Sequence, residues 1–392
     1  MKAKLFLAAI AGVALAGCVK VEMNGLEGKK EQNLVTFDSP VTSRSVSTKA
    51  NVFGEIGSYT YDGSTGTYTY PKEEQFKIFA VEHSGDLTGW AAAETCEFNG
   101  QDLSYDMNVD SWAPKNGGAY YYWPDNMKMS FAAMSPADLG TVNSAIVPAY
   151  GSNGLTVENF TIPSDPASQF DLMFSKRAAN RTAANMNHTA DAYSGIPLEF
   201  QHALTSIHFS IKKDNTVTED IVLTGIVLHN AKNKGTFNEN ITEGTDAAAY
   251  VVGDQGNVQP AWSVVADSKE TSYQAFTGKV SFPIEAQYVS ALAASDTDAA
   301  DENETSHALL LMPQDLADDV VLDINYMVGN ETKTKTVQLN TYPEASPMTT
   351  WKIGYRYTYR LYYSKDTEKH DIISFGPSTS DWADGGKIEI KL

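Results

Sequence analysis

The chain has 392 residues, 49 acidic against 29 basic, for a formal net charge of −20. So acidic a balance excludes nucleic acid and anionic lipid surfaces as natural partners. There are only two cysteines, Cys18 and Cys96, so the fold depends on a hydrophobic core rather than on disulfides.

In chain order, the first element is a leader. Lys2 and Lys4 precede an apolar run, Leu5 to Leu15, which is too short to span a bilayer as a helix. The run ends in Leu15-Ala16-Gly17-Cys18, a lipoprotein signal. Residues 1–17 are expected to be removed and Cys18 to be acylated, leaving Cys96 without a partner. The alternative is an ordinary signal peptide that contains a cysteine. Loss of Lys2 and Lys4 takes the net charge from −20 to −22. The roughly 370 residues that remain suggest two domains of ordinary size.

A polar segment follows, with one strand-like piece, Leu34-Val35-Thr36-Phe37, that puts Val35 and Phe37 on one face. Arg44 and Lys49 lie beyond it in a Ser/Thr-rich stretch of exposed character. Strand signals then recur: Phe76–Val81, Ile207–Ile211, Ile221–Leu228, Ala308–Met312 and Ile388–Leu392 alternate or run apolar between Gly, Pro, Asn and Asp. Twenty tyrosines and sixteen phenylalanines suit pleated, half-buried surfaces. The predicted class is all-β, built as sandwiches. Residues 168–192, rich in Ala, Asn and Arg, read as a long connection with a helical turn, and a second strand-rich half opens at Ile196.

Enzyme motifs are missing: there is no His-Glu-x-x-His, Gly-x-Ser-x-Gly, P-loop or dinucleotide fingerprint. The chain is expected to be no enzyme and to carry no cofactor and no metal. His202 and His208 read as hydrogen-bonded structural residues. The acidic loop Asp296–Glu304 breaks the EF-hand pattern and reads as a solvated loop. Within Tyr120-Tyr121-Tyr122-Trp123-Pro124, Tyr122 and Trp123 are candidate ligand-facing aromatics that could stack on a sugar, although alternate residues of such a strand would be core.

Several segments in order resemble the fimbrillin family. They are Tyr121-Tyr122-Trp123-Pro124 with Met129–Pro136, Phe170–Phe174, Leu198–Ile207, Leu309–Gln314, Trp351–Tyr357 and the closing Asp381-Trp382. With the lipoprotein signal in front, the resemblance covers nearly the whole chain. It implies a subunit of a type V pilus with two transthyretin-like β-sandwich domains in tandem, at residues 45–195 and 196–392. It further implies export to the outer membrane and cell surface as a lipoprotein. An arginine-specific protease would then remove residues 18–44, a propeptide carrying the first strand, and a neighbour's strand would fill the vacated groove. On this sequence the removed strand carries Val35 and Phe37, and the cut falls after Arg44, with Lys49 as second choice. The donor strand is 387–392, where Ile388, Ile390 and Leu392 share a face behind Gly385-Gly386. Partners would be other fimbrial subunits, the protease and, before processing, the outer membrane through the lipid. The alternative for the tail is the last strand of its own sandwich. Alternatives for the whole chain are a tip or accessory adhesin, a basal anchor, or a lipid-anchored glycan-binding protein.

Overall fold

A computed structural model describes residues 35, 37, 41–42, 60–62, 67–69, 72, 74–86, 95–107, 111–114, 123–139, 148–151, 154–175, 177–182, 195–196, 198–239, 261–270, 272–284, 289–290, 309–342, 347–364 and 383–391. Among them there are strands and two single 3-10 turns, Pro166–Ser168 and Leu339–Thr341, and no α-helix.

The strands before residue 200 are β1 (Val41–Thr42), β2 (Thr60–Asp62), β3 (Thr67–Thr69), β4 (Gln75–His83), β5 (Thr95–Asp106), β6 (Ser111–Pro114), β7 (Lys128–Ser135), β8 (Pro148–Gly151), β9 (Gly154–Thr161), β10 (Met173–Ser175), β11 (Ala178–Arg181) and β12 (Glu199–His202). All but β8 and β9 form one ten-stranded sheet, in the order β2-β3-β1-β12-β10-β7-β4-β5-β6 with β11 also on β7. Its centre is apolar on both faces. Phe76, Ile78 and Ala80 of β4 join Met129, Phe131 and Ala133 of β7 in one core. The alternate residues Phe79, Val81, Ala132 and Met134 face a second, larger core. A strand buried on both sides loses its polar alternation and reads as a continuous apolar run.

The remaining strands are β13 (Thr205–Lys213), β14 (Ile221–His229), β15 (Lys234–Asn238), β16 (Ala261–Val264), β17 (Tyr273–Ser281), β18 (Val289–Ser290), β19 (Leu309–Leu311), β20 (Gln314–Asp315), β21 (Val321–Val328), β22 (Glu331–Gln338), β23 (Thr350–Trp351), β24 (Tyr355–Tyr363) and β25 (Ala383–Lys391). They form a sheet β17-β14-β21-β22, a sheet β18-β13-β24-β25 with β19 on β13, and a small pair β20-β23. A further sheet, β16-β15-β9-β8, draws two strands from each side of residue 196. The boundary expected at 195/196 thus falls just before β12, which pairs in the first sheet, and strands on its two sides share sheets.

In β14 the ladder shifts register between Leu223 and Gly225. This bulge keeps both Leu223 and Ile226 in the core although their spacing is odd. β13 and β24 alternate cleanly. Ile207, Phe209 and Ile211 face Tyr357, Tyr359 and Leu361 in the larger core, with the Phe209 and Tyr359 rings stacked at 5.8 Å.

Residues 168–192 differ from the connection expected there, since the described part holds β10 and β11. Both pair with β7. Short strands supplied with a ready-made edge need little periodicity of their own, and Phe170–Phe174 carried the apolar signal.

Candidate functional site: the slot filled by Val35 and Phe37

The polar N-terminal segment contributes two deeply buried apolar side chains. Val35 is 5% exposed and Phe37 is 2% exposed. The Phe37 backbone bridges Ile196 in parallel on one side and Trp112 of β6 antiparallel on the other. Four residues on, β1 repeats the arrangement. Val41 and Thr42 pair in parallel with Glu199 and Phe200 of β12, and antiparallel with Thr69 and Tyr68 of β3. The segment is therefore inserted between two neighbours, and its loss would leave two unpaired edges facing one slot.

Aromatic packing fixes the depth of the slot. The Phe37 ring stands edge-on to Phe131 at 5.6 Å, Phe98 at 6.2 Å and Phe76 at 6.4 Å. Behind them Phe76 packs on Trp112 at 5.1 Å and on Phe200 at 5.6 Å. Such edge-to-face contacts add about 0.5–1.5 kcal/mol each to area burial. Truncating a buried phenylalanine costs about 3–5 kcal/mol, so Phe37 is a substantial part of this core.

The C-terminal strand lies at the outer side of β24 in parallel, with Ile388 opposite Tyr359 and Ile390 opposite Leu361. The side chains of Ile388 and Ile390, and Leu392 altogether, lie outside the described residues. So do Cys18, Arg44, Lys49, Tyr122 and the loop Asp296–Glu304. Trp123 is 6% exposed and edge-on to Phe131 at 5.9 Å, a place in the core wall. Its ring belongs to the smaller core together with Phe37, Phe76 and Phe131.

The buried polar groups form local pairs. His202 Nδ1 donates to Asp171 Oδ2 at 2.7 Å, linking β12 to the chain ahead of β10. His208 Nε2 lies 2.8 Å from Ser206 Oγ. Full burial, with help from the Arg356 charge, holds the His208 pKa well below the usual imidazole range. His83 Nδ1 donates to the Gly85 carbonyl, and its Nε2 accepts from Ser130 Oγ at 2.9 Å. Burial lowers the pKa of this neutral ring too. Among the described residues no three His, Cys, Asp or Glu side chains converge on a metal-sized site. These pairs fasten strands, and the two serine hydroxyls beside His83 and His208 are themselves fully buried, Ser130 in β7 and Ser206 in β13.

Sequence reasoning found Val35 and Phe37 through their alternation. It missed the lining residues Phe98 and Trp112, whose single aromatic positions carry no period.

No curated protein matches the sequence. Similar solved structures include a fimbrial protein from Bacteroides vulgatus, 16% identical, covering 80% of this chain and 92% of that one, with a TM-score of 0.46. Others are candidate cell adhesion proteins from Bacteroides uniformis (11% identical, 92% and 98% covered, TM-score 0.43) and Bacteroides ovatus (14% identical, 91% and 98% covered, TM-score 0.39). The Fimbrillin-like family model matches residues 66–382. With most of its length matched, this chain belongs to the Fimbrillin-like family.

Proposed function

We propose that the chain is a structural, non-enzymatic subunit of a cell-surface fimbrium that supports adhesion. It is exported to the outer membrane as a lipoprotein acylated at Cys18. An arginine-specific protease cuts after Arg44, with Lys49 as the second choice, and the segment bearing Val35 and Phe37 leaves. The C-terminal strand of a neighbouring subunit, carrying Ile388, Ile390 and Leu392, then enters the slot, and repetition of this step builds the fibre.

The observation that carries the reading is the position of Phe37, ahead of the proposed cut and wedged between two strand edges. A strand so placed contributes backbone ladders on both sides together with an aromatic plug. Its removal creates a site that only another strand satisfies well. Burial of Ile388, Ile390 and Leu392 would be worth about 1.5–3 kcal/mol each.

N-terminal sequencing of subunits sheared from the cell surface tests the proposal. The expected first residue is Ser45, or Ala50 for the second cut. Fibre subunits that still contain Phe37 would refute strand exchange at this slot.

A further inference from the structure

We propose that Arg360 sets the register of the C-terminal strand by charge, so that the edge of β24 accepts a parallel strand with an acid between two bases at two-residue spacing. The proposal does not depend on exchange between subunits.

β24 alternates Arg356, Thr358, Arg360 and Tyr362 with Tyr357, Tyr359 and Leu361, which face the larger core. In the parallel ladder Thr358 stands opposite Lys387, Arg360 opposite Glu389 and Tyr362 opposite Lys391. On the other parity the ladder sets Ile388 opposite Tyr359 and Ile390 opposite Leu361. A slip of one residue would put positions 388 and 390 on the wrong face, at a large cost in burial. A slip of two residues would not. With Ile388 opposite Leu361, Ile390 would stand opposite Tyr363 and Gly386 opposite Tyr359; with Ile390 opposite Tyr359, Leu392 would stand opposite Leu361. Both slips keep the same residues on the same face, so parity alone cannot choose among these registers.

Charge can. In either two-residue slip Arg360 meets a lysine, Lys387 or Lys391, in place of Glu389. Opposite charges across a ladder are favourable, and like charges directly opposite are unfavourable. The other cations on this side of the sheet sharpen the choice. Arg356 stands opposite Asp384, beyond a register shift between Arg356 and Thr358. Lys212 of β13 stands opposite Tyr362 on the far side of β24. The register thus places the acid of position 389 opposite a base, whereas either slip places a lysine there.

Hydrogen exchange of the uncut, full-length protein, read by mass spectrometry over residues 383–391, tests this. Arg360→Glu and Glu389→Arg should each speed exchange of that segment by about fivefold. The double variant should return to within about twofold of the parent, because it restores the opposite pair. Singles that exchange like the parent, or a double variant no slower than the faster single, would overturn the assignment. If Arg360→Glu fails to accumulate, Glu389→Lys and Glu389→Gln carry the test. The lysine variant must exchange faster than the glutamine variant, and equal rates would overturn the proposal.

Discussion

At Glu239 the carboxyl group has no solvent exposure. Its Oε2 accepts the Leu155 N–H at 2.8 Å, while the Glu239 N–H donates to the Leu155 carbonyl at 2.9 Å. Gly154 makes room, since a Cβ there, at a φ of +85°, would lie 2.5 Å from Oε2. Burial pushes the Glu239 pKa from 4.5 up to about 8, against smaller opposing effects of the Leu155 N–H and the Arg177 charge. The folded protein therefore holds a proton that the unfolded chain releases above pH 4.5. The stability this provides is complete below pH 4.5 and is lost as pH rises towards 8. Glu239→Gln mimics the protonated form and should remove that loss. Thermal melts of parent and variant should nearly coincide at pH 4.5, with the variant several degrees higher at pH 8. A constant difference across that range would mean that Glu239 is ionised in the fold. Nothing in Asn238-Glu239-Asn240 hints at this burial, because three polar residues in a row carry a turn signal. By contrast, Val35 and Phe37 were legible, since two apolar residues at period two stand out against a polar segment.

Among the elements, β22 shows how an edge is closed. It is the last strand of its sheet among the described residues. Its inward face carries Val337 opposite Leu322, then Lys335 opposite Ile324 and Lys333 opposite Tyr326. Its outward face carries Thr332, Thr334 and Thr336, with Thr334 Oγ1 donating to Asn325 Oδ1 at 2.7 Å. Lysines on the inward face of an edge strand deter a further strand, because adding one would bury their charges. Replacing both, Lys333→Val with Lys335→Val, leaves a flat β-branched edge. The variant should associate with rising concentration, and multi-angle light scattering should give a mass above that of the parent under the same conditions. An unchanged mass up to the solubility limit would show that the edge is shielded by other means. The sequence Thr332-Lys333-Thr334-Lys335-Thr336 reads as a strand by alternation, but pattern alone would have turned the lysines outward. Their direction follows from Val337, which only the ladder with β21 places. Likewise β4 was legible from Phe76–Val81 whereas the period of β7 was obscured by burial on both faces, and β10 and β11 were missed because β7 defines them more than their own residues do.

For the molecule as a whole, strands shared across residue 196 set how it unfolds. The sheet β16-β15-β9-β8 joins β15 to β9 through four paired residues. The larger core takes Phe79, Val81, Leu155, Val157 and Phe160 from one side of residue 196, and Phe237, Leu310 and Leu322 from the other. Phe237 packs with Phe174 at 5.0 Å and with Trp262 at 5.5 Å, so one ring touches both sides. Two self-contained sandwiches would melt separately, whereas this arrangement couples them. A fragment comprising residues 196–392 loses at least Leu155, Val157 and Phe160 from its core. At about 1.5–3 kcal/mol for each buried side chain, that loss approaches the 5–15 kcal/mol that stabilises an ordinary domain. It also strips β15 of a neighbour, exposing backbone groups and an apolar face together. The fragment should therefore accumulate poorly, or show strand-type far-ultraviolet dichroism with a broad, non-cooperative melt. The full chain should give one calorimetric transition whose van't Hoff and calorimetric enthalpies agree. Two resolved transitions in the full chain, together with a sharply melting fragment, would mean that the halves are energetically independent despite their shared sheet. In that case β8 and β9 would be a dispensable graft on the second half. The single transition is expected because Leu155, Val157 and Phe160 of β9 share one core with Phe237 of β15, so neither half can leave without uncovering the other.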